Sequence, residues 1–178
     1  MINTEDIIKQ AEEFYDVGKD AVGVNYKNGW YVGNRELTTE EACEFLFPKN
    51  LVIATVNFSF CCELLLKAML NNGVTIKGHN LAKLYGQLDL KWKKFLLIKM
   101  KYENDETEFL SSLNEISNSF KKWRYIYEYS DEEKSIYFSF LNDWCITLMC
   151  AAYAKYYYEK QEFDKINQTD LELINSIN

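Results

Sequence analysis

The stretch from Leu51 to Leu90, LVIATVNFSFCCELLLKAMLNNGVTIKGHNLAKLYGQLDL, decides the fold. Its first half predicts one long buried helix, because apolar residues recur at spacings of three and four and a second apolar line runs beside them. The helix should stop at the Asn-Asn-Gly turn at 71–73, and Asn80 is suited to cap a second helix. The first apolar line is Leu51, Ala54, Phe58, Cys61, Leu65 and Met69, and the second is Ile53, Phe60 and Leu64. A helix that is apolar on two sides is typical of the centre of a helical bundle.

A third line on the same helix is polar. Thr55, Ser59, Glu63 and Lys67 follow one another at intervals of four residues, so they share one face. Glu63 precedes Lys67 in the order that favours an ion pair, worth about 0.2 to 0.5 kcal/mol on an open surface. Two interpretations stay open: a solvated stripe with an ordinary helix ion pair, or a polar line in a crevice where the pair matters more.

Two motifs in this stretch resemble the signature of the HEPN superfamily of small helical domains. Phe58 to Leu70 reads FSFCCELLLKAML and Lys77 to Leu88 reads KGHNLAKLYGQL, in the order and at the separation found in that family. With WRYIYE at Trp123 to Glu128, the resemblance spans about Leu51 to Tyr158. It implies an up-and-down helical bundle that forms a homodimer along its long helices.

Composition favours the same architecture. The chain has 178 residues, with one proline, seven glycines and 48% apolar residues, so long helices joined by short connections are expected. We therefore predict a single all-α domain over residues 1–178, an up-and-down bundle of about six or seven helices. Residues 18–37 carry glycines and aromatic residues around an Asn28-Gly29 turn, and they should form either a hairpin or an ordered loop.

Start and stop signals place several helices. Thr4 is the expected N-cap of a first helix that ends near Val17, and Thr38 to Glu41 has the spacing of a capping box. A helix at about Lys91 to Tyr102 carries five lysines, which either form a positive surface or cover apolar residues with their stems. A last long helix should pair with the central helix and end near Lys160, with a short docked helix after it.

Charge and cysteine content limit the function classes. The net charge of −7 argues against a non-specific nucleic-acid binder, because such proteins rely on basic surfaces. Five cysteines in apolar patterns and a single histidine predict reduced thiols, with no metal site and no cofactor. The polar start and the lack of an apolar run near 20 residues predict a cytoplasmic protein that does not enter the membrane.

Two stretches carry the candidate chemistry. His79 is the only histidine, and imidazole ordinarily titrates near neutrality, so His79 is the candidate acid or base unless it only satisfies a turn. Arg124 offers forked donors that suit a phosphate, or it forms a structural ion pair with a carboxylate of the chain. The candidate ligand-binding residues are Glu63, Lys67, His79, Arg124, Tyr125 and Tyr127, of which His79 and Arg124 are also candidate catalytic residues.

The resemblance raises the question of RNA cleavage. HEPN nucleases share an R-x4-6-H motif whose arginine and histidine, from two protomers, form a metal-independent site. Arg124 lies in a comparable region, but Tyr129, Ser130 and Asp131 fill the window in which the histidine is expected. The usual RNase mechanism is therefore in doubt.

Three functions follow, and whether the protein is an enzyme stays open. The first is a HEPN-like nucleotide- or RNA-binding module, which would fit a bacterial defence or toxin-antitoxin system. The alternatives are a metal-independent RNase toxin that uses Arg124 and His79, and an interaction partner of a nucleotidyltransferase-like protein.

Overall fold

The computed structural model describes residues 3–22, 25–26, 30–32, 35–38, 41, 49–71, 76–117 and 138–177, with the backbone alone for 25–26, 30–32, 35–37 and 49–50. Seven α-helices lie in this part of the chain and form the all-α bundle that the sequence predicts. They are α1 (Thr4–Val22), α2 (Lys49–Leu70), α3 (Leu81–Gly86), α4 (Leu90–Lys99), α5 (Glu106–Ile116), α6 (Phe138–Glu159) and α7 (Gln168–Ser176).

The α1 and α2 helices lie side by side and antiparallel. Asn71 Nδ2 donates to Thr4 Oγ1 at 3.0 Å at one end of the pair, and Gly18 lies against Phe58 at the other. A Cβ atom at Gly18 would be 2.6 Å from the Phe58 ring, so glycine allows the two helices to approach closely. The prediction that α1 ends near Val17 is wrong, because this packing keeps the chain helical through the glycine.

Helix starts follow the predicted capping with one exception. Asn80 Oδ1 accepts from Lys83 N at 2.8 Å, so the predicted N-cap of α3 is confirmed. The predicted cap of α1 is wrong by one residue, because Asn3 Oδ1 accepts from Glu5 N at 3.2 Å and Thr4 is already helical. The Thr4 hydroxyl is used instead in the hydrogen bond to α2.

The α6 helix packs against α2 and against α5. Cys145 Sγ lies 3.2 Å from Cys62 Sγ and donates to the Phe58 carbonyl at 3.1 Å. Trp144 is fully buried beside Phe109 of α5, with ring centroids 5.3 Å apart. The predicted contact between the last long helix and the central helix is therefore confirmed.

The cysteines of the described residues are all free. Cys61, Cys62 and Cys145 are buried, whereas Cys150 is exposed, and Cys43 lies outside the described residues. Burial raises the pKa of the Cys62 and Cys145 thiols. Both thiols are therefore neutral side chains of the core at physiological pH.

The three lines of α2 have different surroundings. The first apolar line is buried along its whole length, whereas Ile53 on the second line is 46% exposed and its other members are half-buried. The polar line is buried instead, because Thr55, Ser59 and Glu63 are each at most 1% exposed. The interpretation of this line as a solvated stripe is therefore wrong.

The α2 helix is also long and apolar enough to cross a membrane, contrary to the expectation from the sequence. The segment Leu51–Leu70 has a mean hydropathy of 1.7, and 61% of it is buried inside the bundle. The central helix of a bundle has this length and composition too, and the burial favours that role here.

The region before α2 forms a small antiparallel sheet, which decides between a hairpin and a loop. The strands are β1 (Asn25–Tyr26), β2 (Trp30–Val32) and β3 (Arg35–Leu37), and β2 pairs with both of the others. Of the two alternatives, the hairpin is therefore present, and a third strand extends it. Thr38 N donates to Glu41 Oε2 at 2.9 Å and Glu41 N donates to Thr38 Oγ1 at 3.2 Å, so the predicted capping box also forms.

The lysine-rich helix α4 is shorter than predicted. It ends at Lys99 rather than near Tyr102, because Lys101 adopts a left-handed backbone with φ of 63°. Lys101 N donates to the Ile98 carbonyl at 3.0 Å and Tyr102 N donates to the Leu97 carbonyl at 2.8 Å. These two hydrogen bonds are the pattern of a Schellman helix end, in which glycine is the usual residue.

Candidate functional site

Three of the six predicted ligand-binding residues come together near the end of α2. Lys67 Nζ donates to Glu63 Oε1 at 2.7 Å, and His79 Nδ1 lies 2.9 and 3.0 Å from the two carboxylate oxygens of Glu63. These three residues are called the Glu63 cluster below. The other three predicted residues, Arg124, Tyr125 and Tyr127, lie outside the described residues.

Exposure rises stepwise across the Glu63 cluster. The side chain of Glu63 is 2% exposed, that of Lys67 is 21% exposed and that of His79 is 68% exposed. A buried carboxylate is costly unless cations or hydrogen-bond donors compensate it. Glu63 has both kinds of partner, and it holds an accessible imidazole in place at the protein surface.

The turn before α3 places His79 over α2. Gly78 has a φ of +102°, a backbone conformation that strains any residue with a Cβ atom. His79 follows directly, and the capped start of α3 at Asn80 fixes where the chain goes next. In this turn Gly78 therefore allows the bend, His79 contacts Glu63 and Asn80 caps α3.

The start of α3 is also fastened to the end of α5 by a residue that the sequence analysis missed. Leu81 N donates to the Ser117 carbonyl at 3.2 Å, and Ala82 N donates to Ser117 Oγ at 2.9 Å. A serine after the last apolar residue of a helix gives no signal that it will cap a different helix.

The polar line continues from the Glu63 cluster into the protein interior. Thr55 Oγ1 and Ser59 Oγ are buried, and within the described part of the chain they have no hydrogen-bond partner. A buried hydroxyl left without a partner costs about 1 to 3 kcal/mol. The line is therefore unfavourable for stability alone.

The chain around the Glu63 cluster is locally positive, although the whole protein is acidic. Residues 64–88 contain Lys67, Lys77 and Lys83 together with His79, and they contain no carboxylate. Lys77 and Lys83 are exposed. This local charge was readable from the sequence, but the net charge of −7 concealed it.

The lysines of α4, by contrast, hold the bundle together. Lys91 Nζ lies 4.5 Å from the centre of the Tyr158 ring on α6, and Lys99 Nζ is paired with Asp170 at 2.8 Å. Asp170 belongs to α7, so this pair fastens the short helix that the sequence predicted after α6. These contacts favour the structural interpretation of the lysine-rich helix over a positive binding surface.

The contact between Glu63 and His79 determines what the imidazole can do. Because a carboxylate accepts hydrogen bonds, Nδ1 must carry the proton in that contact. In the neutral ring the basic atom is then Nε2, and in the charged ring both nitrogens donate. The ring can therefore accept a proton from a ligand or donate a hydrogen bond to a phosphate.

A metal site receives no comparable support. No group of three or more histidine, cysteine, aspartate or glutamate side chains occurs within metal-binding reach among residues that the structure describes. Comparisons with protein-family models, with curated proteins and with solved structures find no match for this chain.

Proposed function

We propose that the protein is a cytoplasmic, HEPN-like module that binds a nucleotide or an RNA at the Glu63 cluster. The observation that carries the proposal is the anchored imidazole, since buried Glu63 holds Nδ1 of His79 at 2.9 Å while the ring stays 68% exposed. A ring fixed before the ligand arrives loses little freedom on binding. A phosphate-bearing ligand suits a ring that lies in a locally positive part of the chain.

The neighbouring cations complete the proposed phosphate site. Lys67 is engaged by Glu63, so its ammonium has a fixed position near the ring and offers further donors. Lys77 is exposed two residues before His79 and supplies a second positive charge. Arg124 is the proposed forked donor to a phosphate, and Tyr125 or Tyr127 is proposed to stack on a base.

RNA cleavage without a metal is a second candidate, favoured by the same Glu63 to His79 contact. A carboxylate that orients an imidazole through Nδ1 is the arrangement of a general base. His79 Nε2 would take the proton of a ribose 2′-hydroxyl, whose oxygen would attack the adjacent phosphorus. The bond to the 5′-oxygen would break and that oxygen would take a proton from water, leaving a 2′,3′-cyclic phosphate and a 5′-hydroxyl end, with Arg124 stabilising the phosphate charge. His79 would then release the proton on Nε2 to solvent.

The proposal includes a homodimer in a bacterial defence or toxin-antitoxin setting. The outer face of α2 supports a dimer, because Ile53 is 46% exposed there and Val17 on the adjacent α1 is 52% exposed. Apolar residues on two neighbouring long helices suit a surface that a second copy covers. Sedimentation of the protein used for binding would give its oligomeric state.

The test is fluorescence polarisation with a labelled single-stranded RNA and with a labelled adenine nucleotide, in EDTA. We expect His79→Ala and Arg124→Ala each to weaken binding by at least tenfold, because each removes a proposed phosphate contact. Lys19→Ala is the matched control, because it removes an exposed lysine of α1 and should leave binding unchanged.

The same samples, run on a denaturing gel, separate binding from cleavage. RNA cleavage that persists in EDTA and is lost in His79→Ala would favour the nuclease. Intact RNA with tenfold weaker binding in the variants would favour the binding module. The proposal is wrong if neither RNA nor nucleotide binds, or if His79→Ala and Arg124→Ala bind as tightly as the wild type.

A further inference from the structure

A second cleft lies on a different side of α6 from the Glu63 cluster. It is lined by Lys99, Met100, Lys101 and Tyr102 at the end of α4 and by a face of α6 that includes Asp143, and its volume is about 410 Å³. Small-molecule sites usually measure roughly 300 to 1,000 Å³. Cys145 contacts α2, and Asp143 lies two residues earlier, about 200° around the helix. The cleft therefore opens away from α2.

Two opposite charges line this cleft without neutralising each other. Asp143 and Lys101 both contribute to its wall, yet within the described residues they form no ion pair, and the hydrogen bond of Asp143 is to Asn142 at 3.4 Å. Lys99 differs, because its ammonium is already paired with Asp170 at 2.8 Å. The cleft thus presents one carboxylate and one ammonium that are available to a ligand.

Two apolar side chains of α6, called the apolar wall below, also line this cleft. Ile146 is 42% exposed although it lies on a helix whose inner face is in the core, and Phe140 also lines the cleft. Thr147 Oγ1 donates to Met100 Sδ at 3.2 Å, which holds the end of α4 against α6. The apolar wall is therefore built on fixed helical backbone rather than on a loose loop.

The cleft destabilises the charged form of Asp143. Burial raises the pKa of Asp143, since partial desolvation disfavours its charged form and no cation among the described residues offsets it. Lys101 stands in a left-handed position, φ 63°, where glycine would be unstrained. A ligand that paired with Asp143 and Lys101 would offset the cost of desolvating the Asp143 carboxylate.

We propose that this cleft binds a small zwitterion with an apolar body, such as an aliphatic or aromatic α-amino acid. The ammonium of the ligand would pair with Asp143, its carboxylate would pair with Lys101, and its side chain would lie on Ile146 and Phe140. The same three contacts exclude a simple amine and a simple carboxylic acid from tight binding, because each leaves one charge of the cleft unpaired.

Calorimetric titration with L-leucine and L-phenylalanine tests the proposal, and two analogues of leucine sharpen it. We expect at least one of the amino acids to bind, whereas isopentylamine, which lacks the carboxylate, and 4-methylpentanoate, which lacks the ammonium, should bind at least tenfold more weakly. Either analogue binding as tightly as the amino acid would overturn the proposal, as would no binding of either amino acid at millimolar concentration.

Variants locate the binding. Asp143→Asn and Lys101→Gly should each weaken amino-acid binding by at least tenfold. Gln161→Gly is the matched control for the second variant, since Gln161 has the same left-handed backbone, φ 60°, outside the cleft. His79→Ala should bind the amino acid normally, which separates this site from the Glu63 cluster. Unchanged binding in both cleft variants, or loss of binding in Gln161→Gly, would contradict the proposal.

Discussion

Glu63 and Asp143 are both carboxylates on long central helices, but their surroundings are opposite. Glu63 is 2% exposed and is held by Lys67 at 2.7 Å and by His79 at 2.9 Å. Asp143 is exposed, and within the described part of the chain no cation pairs with it. The more deeply buried carboxylate is thus the one with the partners.

A charged side chain can contribute to a binding site in two ways, and these two carboxylates illustrate them. The Glu63 carboxylate is compensated inside the protein, so its effect outside is indirect, through the position that it gives to His79. The Asp143 carboxylate is not compensated, so it can pair directly with a ligand. Removing the first should therefore damage the protein itself, whereas removing the second should cost no stability.

The largest expected effect on stability is that of Glu63→Ala. This change leaves the Lys67 ammonium, 21% exposed, without its carboxylate and leaves a cavity, so we expect the free energy of unfolding to fall by about 3 kcal/mol. His79→Ala should change it by less than about 0.5 kcal/mol, because that side chain is largely solvated. Urea unfolding of both variants measures the two values.

A double variant tests whether the loss of stability comes from breaking the pair of Glu63 and Lys67. Glu63→Leu combined with Lys67→Met replaces the pair by apolar residues of similar volume and should recover most of the lost stability. A loss below about 1 kcal/mol in Glu63→Ala would contradict the compensated burial on which the contrast depends.

The sequence predicted the parts of the Glu63 cluster that depend on local spacing. Glu63 and Lys67 are four residues apart on a helix, and Asn80 caps the next helix through its own backbone neighbours. The hypothesis of a shared ligand site added the expectation that His79 lies near them. The structure confirms that these residues meet, and the binding role remains a proposal.

Features that depend on packing between distant segments were not readable. A helix with two apolar lines does not show which line will face its neighbours, so the burial of Thr55 and Ser59 followed only from the structure. Ser117 acts on a helix 35 residues earlier in the chain. The cleft beside Asp143 joins the end of one helix to a face of another, and no periodicity within either segment predicts that contact.

A smaller effect on stability is expected from replacing Lys101, which supplies the ammonium of the cleft. Lys101→Gly should raise the free energy of unfolding by about 0.5 to 1 kcal/mol, because a non-glycine residue is strained at φ 63° and the gain exceeds the greater freedom of glycine in the unfolded chain. Gln161→Gly should give a similar increase, since its φ is 60°. Thermal unfolding of both variants measures the gains.

The two glycine variants sharpen the contrast because they should differ only in ligand binding. Equal gains in stability would show that the strain belongs to the helix ends and that the Lys101 side chain is not needed for the fold. A loss of stability in Lys101→Gly alone would mean that its side chain holds the fold together, and the cleft would then lack a free ammonium.

The smallest expected effect is the pH dependence of Asp143→Asn. Because burial raises the pKa of Asp143, the native state binds this proton more tightly than the unfolded state does. The stability from this group is therefore fully present below its ordinary pKa, about 3.9, and is lost as the pH rises through the raised value. Carboxylates that form ion pairs in the native state show the opposite trend.

At pH 7 the wild type carries a partly desolvated charge that the asparagine variant does not have. We expect Asp143→Asn to be more stable at pH 7 by a few tenths of a kcal/mol, roughly, because the group is still partly solvated. The gain should shrink as the pH falls toward 4, which urea unfolding at both pH values measures. If the variant were less stable at pH 7, Asp143 would have a stabilising partner in the native protein, and its contrast with Glu63 would fail.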